Sequence, residues 1–150
     1  MKYFAYGSNM DPEKMRERGI GFSQRARAIL KDYRLEFNKK ASHNPREGYA
    51  NIVSFQKGIV EGIVYEIRDA DLAEVDRFEG YPNHYNRIDV KLLLKHGQAV
   101  NAVTYIACPN KVRGGLKPSR DYLDHLMAGR DLLSESYRRK LEALQPLNEW

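Results

Sequence analysis

Apolar and polar positions alternate with a period of two along residues 59–67, a pattern that predicts a strand with two different faces. Lys57-Gly58 precedes this segment and is typical of a hairpin turn. Other segments rich in β-branched and aromatic residues also favour strands, and they span residues 2–6, 24–30, 33–38, 50–55, 87–95 and 99–108. The pattern therefore predicts a protein built largely of short strands.

The apolar period changes to that of a helix over residues 69–79. Asp69 is suited to cap this helix, and Leu72, Val75 and Glu79 fall on one face at positions i, i+3 and i+7. A carboxylate therefore lies on the apolar stripe of the helix.

Further helix starts are recognisable at three places. Asp11 followed by Pro12 suits an N-cap and a first helical position, and Ser119 and Ser134 suit the caps of two closing helices. Antiparallel strands with a few helices, without βαβα alternation, predict an α+β fold. We expect a single domain over residues 1–150, with a curved mixed or antiparallel sheet or barrel and flanking helices.

The composition is that of a globular protein, with 42% apolar and 30% charged residues. No apolar run approaches the roughly 20 residues of a membrane-spanning helix, and residues 1–7 are not expected to act as an export signal. The single cysteine, Cys108, cannot form an internal disulfide, which agrees with a reducing compartment. These features predict a cytoplasmic protein without a membrane partner.

The net charge of +5 and the pI near 9.3 permit binding of anions. The basic residues are dispersed, however, and we interpret Lys39, Lys40 and residues 138–140 as parts of a solvated surface. We therefore expect no nucleic-acid partner. The histidines are too far apart in the sequence for a metal-binding motif and are expected at the surface: His43, His84, His96 and His125.

Glu79 is the most unusual residue in the pattern, since a glutamate on a core-facing stripe is either paired or held partly protonated by desolvation. A structural ion pair with Arg77, Arg87 or a basic residue of another element is one interpretation, and a catalytic carboxylate is the other. Tyr81 and Tyr85 follow the helix and suit either a pocket wall or a core. Spacing alone leaves these alternatives open.

The segment Tyr6-Gly7-Ser8-Asn9-Met10 places a glycine and successive amide N–H groups at the end of a predicted strand. Such N–H groups can converge on an anion or an oxyanion, although an ordinary turn has the same sequence. The G-x-S-x-G motif of serine hydrolases is absent, and so are nucleotide-binding motifs. We therefore expect neither a cofactor nor a metal.

Taken together, these segments resemble the γ-glutamylcyclotransferase family over nearly the whole chain. The sequence YFAYGSNM at residues 3–10 is similar to the opening strand and substrate-binding loop of that family. Residues 76–80, DRFEG, match its D-x-x-E-G helix end, in which the glutamate is catalytic. Residues 118–122 and 132–141 resemble its C-terminal helices.

The resemblance implies that a γ-glutamyl amide is converted to 5-oxoproline with release of an amino acid or amine, a lyase reaction. It implies that Glu79 is the general acid/base of this reaction. It also implies substrate contacts from the opening loop and from two tyrosines, namely Tyr6, Gly7, Ser8, Asn9, Met10, Tyr85 and Tyr122.

Two alternatives remain beside this interpretation. Residues 78–87 also resemble the γ-glutamylamine cyclotransferase and AIG2-like branch, and a non-catalytic module of the same fold would keep the pocket to bind a small ligand. The sequence does not identify the acceptor part of the substrate. Small domains with aromatic-rich edges commonly dimerise, which favours a homodimer.

Overall fold

The strands close into a barrel in the computed structural model, which describes residues 1–147. They are β1 (Lys2–Ala5), β2 (Gln24–Lys40), β3 (Gly48–Glu66), β4 (Tyr85–Leu93) and β5 (Ala99–Ala107). Their order around the barrel is β1-β3-β2-β4-β5. Neighbouring strands pair antiparallel, except that β1 and β5 are parallel. The predicted α+β fold with a mixed, barrel-like sheet is confirmed.

The helices of the described residues are α1 (Pro12–Glu17), α2 (Asp69–Glu79), α3 (Arg120–Met127) and α4 (Glu135–Glu142). Three predicted caps are confirmed, because the side chains of Asp11, Ser119 and Ser134 each accept a hydrogen bond from a backbone N–H in the first helical turn. Among the described residues 1–147, none of the helices combines the length and the hydropathy of a membrane-spanning segment.

The start of α2 differs from the prediction, since its N-cap is Arg68 and not Asp69. The Asp71 carboxylate accepts hydrogen bonds from the Arg68 N–H at 3.0 Å and from the Arg68 Nε at 3.1 Å. Asp71 therefore holds Arg68 at the cap, and Asp69 becomes the first helical residue. Its negative charge is favourable there because of the helix dipole.

β2 and β3 are each one long strand, so the predicted hairpin turn at Lys57-Gly58 is wrong and four expected strands merge into two. The backbone of Lys57 has φ 66° and that of Asp32 has φ 68°. The Asp32 carboxylate accepts a hydrogen bond from the Lys57 N–H at 3.0 Å, and the strand register shifts between Lys31 and Tyr33. The paired strands thus absorb the turn-like backbone as a bulge.

Both faces of β3 are buried from Val60 to Tyr65. Ile63 and Tyr65 belong to a core cluster that also contains helix residues such as Leu126, whereas Val60 and Val64 pack with residues of the other barrel strands. Alternate residues of this part of β3 therefore belong to two different apolar clusters, one on each face of the strand. Residues at the ends of β1 and α2 and in α3 line one cavity.

Gly80 ends α2 in the left-handed conformation, with φ 66°, and a Cβ atom at this position would lie 2.8 Å from the His84 Cδ2 atom. We expect Gly80→Ala to lower the free energy of unfolding by about 2 kcal/mol in a urea titration, since backbone strain and collision add. Gly97→Ala is the matched control. Gly97 has φ 80° with no atom within 4 Å of its Cβ position, so only strain of about 1 kcal/mol remains. Equal losses would contradict the collision with His84.

Candidate functional site

The Glu79 carboxylate lies at the end of α2 and faces a cavity of about 460 Å³. Within residues 1–147, no side chain forms an ion pair or a hydrogen bond with it. Arg77 instead binds Glu74 at 3.3 Å, and Arg87 binds Asp76 at 2.6 Å. Neither arginine therefore pairs with Glu79, which lines the cavity together with Glu47 and Asp121 and has no ion-pair partner within residues 1–147.

The electrostatic surroundings of Glu79 favour its protonated form. Burial raises the pKa of Glu79 to about 7, while the Arg18 guanidinium and then the Lys39 ammonium act against this rise. A carboxyl group with this pKa is partly ionised at neutral pH, and its ionised form is a stronger base than an exposed glutamate. Glu79 is therefore suited to accept and return a proton.

The loop after β1 lines the same cavity as this carboxylate and continues as a 3₁₀ turn over Ser8–Met10. Gly7, Ser8 and Asn9 line the cavity. The N–H groups of Ser8 and Asn9 are at the start of the turn, where they have no carbonyl partner within the turn itself. Met10 differs from the expectation, because its side chain is fully buried in the core and its N–H donates to the Gly7 carbonyl at 3.0 Å.

Side chains from three elements hold this loop in place. The Arg18 Nη1 donates hydrogen bonds to the Ser8 Oγ at 3.1 Å and to the Asn9 Oδ1. The Asn9 Nδ2 donates to the Tyr3 Oη at 3.0 Å, and the Tyr65 Oη donates to the Asn9 carbonyl at 2.7 Å. The loop is therefore preorganised, so its N–H groups keep their direction without a ligand.

Tyrosine side chains form much of the remaining wall, and the predicted pocket residues Tyr6, Tyr85 and Tyr122 are among them. The Tyr6 Oη donates to the Tyr105 carbonyl at 2.6 Å, and the Tyr85 Oη donates to the Ala50 carbonyl at 2.8 Å. The Ala50 N–H donates to the Tyr122 Oη at 3.0 Å. Burial raises the pKa of all three predicted tyrosines, so their hydroxyl groups stay protonated.

Asp76 fixes the helix end that carries Glu79. The Asp76 carboxylate accepts hydrogen bonds from the Arg87 Nη1 at 2.6 Å and from the Tyr105 Oη. The Arg87 guanidinium also lies 4.6 Å from the centre of the Tyr81 ring. Since Asp76 precedes Glu79 by three residues on α2, these bonds tie the last helical turn to β4 and β5.

Lys39 and Arg18 line the cavity but were not predicted as site residues. Lys39 is only 4% exposed, so its assignment to the solvated surface is wrong. The register of β2 against β3 shifts between Glu36 and Lys39, and this irregularity turns the Lys39 side chain inward. Arg18 is the C-cap residue of α1. Cations are common at helix C-termini because of the helix dipole, so its sequence position does not indicate a role in a binding site.

His84 and His125 also line the cavity, in contrast to the surface positions expected from the sequence. The His125 Nδ1 lies 2.9 Å from the Asp11 Oδ2. Burial, together with the nearby Lys39 and Lys111 ammonium groups, lowers the pKa of His84. In the part of the chain that the structure describes, no group of His, Cys, Asp and Glu side chains is arranged to hold a metal ion.

Comparisons with known proteins agree with one another. The sequence profile of the family described as gamma-glutamyl cyclotransferase, AIG2-like, matches residues 3–124. The Mus musculus protein named gamma-glutamylcyclotransferase is 27% identical over 154 residues, covering 99% of this chain and 80% of the mouse protein. The Homo sapiens protein of that name is 28% identical over 150 residues, covering 96% and 78%. A solved structure of a gamma-glutamyl cyclotransferase has a TM-score of 0.86 and 26% identity, covering 99% of this chain and 89% of that chain.

Proposed function

Because this chain belongs to the gamma-glutamyl cyclotransferase, AIG2-like family, we propose that it converts a γ-glutamyl amide into 5-oxoproline and a free amine. The observation that carries this proposal is the Glu79 carboxylate, whose pKa burial raises to about 7, in the wall of a cavity that the Gly7–Asn9 loop also lines. The products contain all atoms of the substrate, so the reaction is an intramolecular acyl transfer that consumes no water. Its chemistry needs only proton transfer and charge stabilisation.

The substrate contains both reacting groups. Its α-amine attacks its own γ-carbonyl carbon and closes a five-membered ring, after which the bond from that carbon to the acceptor nitrogen breaks. At neutral pH the α-amine is an ammonium ion and is not nucleophilic. A base must remove its proton first, and an acid must protonate the leaving nitrogen later.

Glu79 supplies both proton-transfer roles in this proposal. The ionised carboxylate accepts one proton of the ammonium group, and the carboxylic acid then donates it to the acceptor nitrogen. The second proton, which the ring nitrogen loses when the lactam forms, also ends on the released amine, which leaves as an ammonium ion. The raised pKa narrows the gap to the pKa of the ammonium group, which eases the first transfer. One residue therefore returns to its starting state in each turnover.

The loop stabilises negative charge in this proposal. When the amine attacks, the γ-carbonyl oxygen becomes an oxyanion, and the N–H groups of Ser8 and Asn9 are the donors for it or for the substrate α-carboxylate. The tyrosines Tyr6, Tyr85 and Tyr122 shape the wall that keeps the substrate folded, which favours intramolecular attack. Met10 supports the loop and is given no substrate contact.

The proposal is tested by mass-spectrometric detection of 5-oxoproline from a panel of γ-glutamyl amino acids and γ-glutamylamines. We expect release of 5-oxoproline from at least one class. The α-glutamyl isomer of an active dipeptide is the matched control. Its amide bond is at the α-carbonyl carbon, on which its own amine cannot close a five-membered ring. Absence of 5-oxoproline across both classes would contradict the proposal and favour a ligand-binding module.

The pH dependence of turnover follows from the pKa of Glu79. We expect kcat/KM to rise with pH through about 7, since only the ionised carboxylate accepts the substrate proton. Initial rates of 5-oxoproline formation across a pH series measure the pH at which kcat/KM rises. A rise of kcat/KM near pH 4.5, the ordinary pKa of a glutamate, would contradict the role assigned to this carboxylate.

A further inference from the structure

Lys39 presents a buried ammonium group to the cavity. The residue is 4% exposed, and its Nζ donates one hydrogen bond, to the Lys40 carbonyl at 2.8 Å. The Nζ lies 5.8 Å from the centre of the Tyr49 ring and 5.6 Å from that of Tyr85. No carboxylate of residues 1–147 lies within 4.0 Å of it. An ammonium group has three N–H donors, so two remain available to a ligand in the cavity that Lys39 lines.

The surroundings of this ammonium are mostly cationic or neutral. Burial and then the Lys111 ammonium lower the pKa of Lys39, while the Glu79 carboxylate raises it. His84, whose pKa is lowered, adds a neutral imidazole to the same part of the cavity. The nearby acidic residue Glu47 is already bonded to the His43 Nε2 at 3.1 Å.

Burial of a charge without a partner is unfavourable, and proteins usually resolve it with a counter-ion. The glutamyl end of the cavity already has the loop and Arg18, whose guanidinium bonds Ser8 and Asn9. Lys39 forms no hydrogen bond with this loop and lies against aromatic rings carried by β3 and β4. Its counter-ion is therefore expected on the part of a ligand that extends away from the loop.

We propose that Lys39 binds the carboxylate of the leaving amino acid, so that the substrates are γ-glutamyl amino acids and not γ-glutamylamines. This inference rests on the proposed cyclotransferase function. An amine leaving group has no carboxylate for Lys39, and one with a cationic tail meets the ammonium groups of Lys39 and Lys111 as like charges. Lys39 is then the residue that determines acceptor specificity.

The test uses two substrates that differ only in the acceptor carboxylate, γ-glutamylalanine and γ-glutamylethylamine. We expect wild-type kcat/KM to favour γ-glutamylalanine by roughly 10- to 100-fold, the range of a hydrogen bond to a charged group. In Lys39→Met and Lys39→Gln this ratio falls towards one, mainly through KM for γ-glutamylalanine. Lys40→Met, which changes the adjacent exposed lysine, keeps the ratio.

The ratio separates this role from a general one. An equal loss of kcat/KM on both substrates would overturn the proposal, because Lys39 would then act on the glutamyl group or on Glu79. A wild-type preference for γ-glutamylethylamine would also overturn it. Turnover of neither substrate would contradict the cyclotransferase function itself. In that case calorimetric titration of the same two compounds still tests whether Lys39 binds the acceptor carboxylate. Lys39→Met must weaken binding of γ-glutamylalanine more than that of γ-glutamylethylamine.

Discussion

Glu79→Gln is expected to lower the rate of 5-oxoproline formation by roughly 10²–10⁴-fold, the contribution typical of general acid/base catalysis. Glutamine has nearly the same shape but cannot accept the ammonium proton or donate one to the leaving nitrogen. Substrate binding should change far less, because the loop N–H groups, Arg18 and Lys39 remain. Steady-state kinetics with an active γ-glutamyl substrate measure the loss in kcat.

Glu74→Gln is the matched control for this experiment. Glu74 lies on the same helix, pairs with Arg77 at 3.3 Å, and does not line the cavity. The control should keep wild-type turnover. Turnover of Glu79→Gln equal to that of Glu74→Gln would remove Glu79 from the proposed mechanism.

The stability of Glu79→Gln gives an independent check on folding. Burial raises the pKa of Glu79 from 4.5 to about 7, so ionisation of this side chain is disfavoured in the folded state. The native protein therefore loses stability as the pH rises through this interval, and the variant does not. We expect the variant to be more stable than wild type by about 3 kcal/mol above neutral pH, and the difference to vanish at acidic pH.

Gly7→Ala is expected to lower kcat/KM by roughly 10²-fold, since small displacements in an active site have effects of this size. A Cβ atom on Gly7 would lie 2.9 Å from the Tyr122 Oη and 3.2 Å from the Ala50 Cβ. The Ala50 atom belongs to the barrel wall and cannot move freely. The loop or Tyr122 must therefore shift, which misdirects the N–H groups of Ser8 and Asn9.

A double variant identifies the cause of this loss. Tyr122→Phe removes the hydroxyl group that the new Cβ would meet, so Gly7→Ala should be less harmful in that background than in wild type. Gly114→Ala is the control, because no atom lies within 4 Å of its Cβ position. If Gly7→Ala and Gly114→Ala reduced activity equally, the close approach at Gly7 would have no catalytic consequence.

The sequence predicted the parts of the site that depend on local pattern. The helical period over Asp69–Glu79 and the terminating glycine at position 80 were enough to place Glu79 on a core-facing stripe at a helix end. The loop residues Gly7, Ser8 and Asn9 follow a strand, as expected, and they line the cavity. In both cases a short stretch of chain contains all residues on which the prediction depends.

The sequence could not predict features that depend on pairing between distant strands. Lys39 is turned inward by a register irregularity between β2 and β3, and neither strand contains a residue that marks it. The turn-like sequence Lys57-Gly58 became part of a strand because Asp32, far away in the sequence, binds the Lys57 N–H. Such bulges decide which side chains face a cavity, yet alternation alone assumes that they are absent.

Several expectations from composition stay predictions. They concern a homodimer, a cytoplasmic location, the absence of a nucleic-acid partner and the extent of the domain over residues 1–150. Size-exclusion chromatography with light scattering decides on the homodimer. A salt-dependent binding titration with DNA and RNA decides on nucleic acid, since attraction based on a net charge of +5 would weaken steeply with salt.

Turnover in water enriched in heavy oxygen tests the central claim most directly, because cyclisation and hydrolysis differ in whether solvent oxygen enters the product. The proposed reaction predicts 5-oxoproline without heavy oxygen, in amounts equal to the released acceptor, from an active γ-glutamyl substrate. Glutamate with heavy oxygen in its γ-carboxylate would instead show that water is the nucleophile, and it would contradict intramolecular attack by the substrate amine.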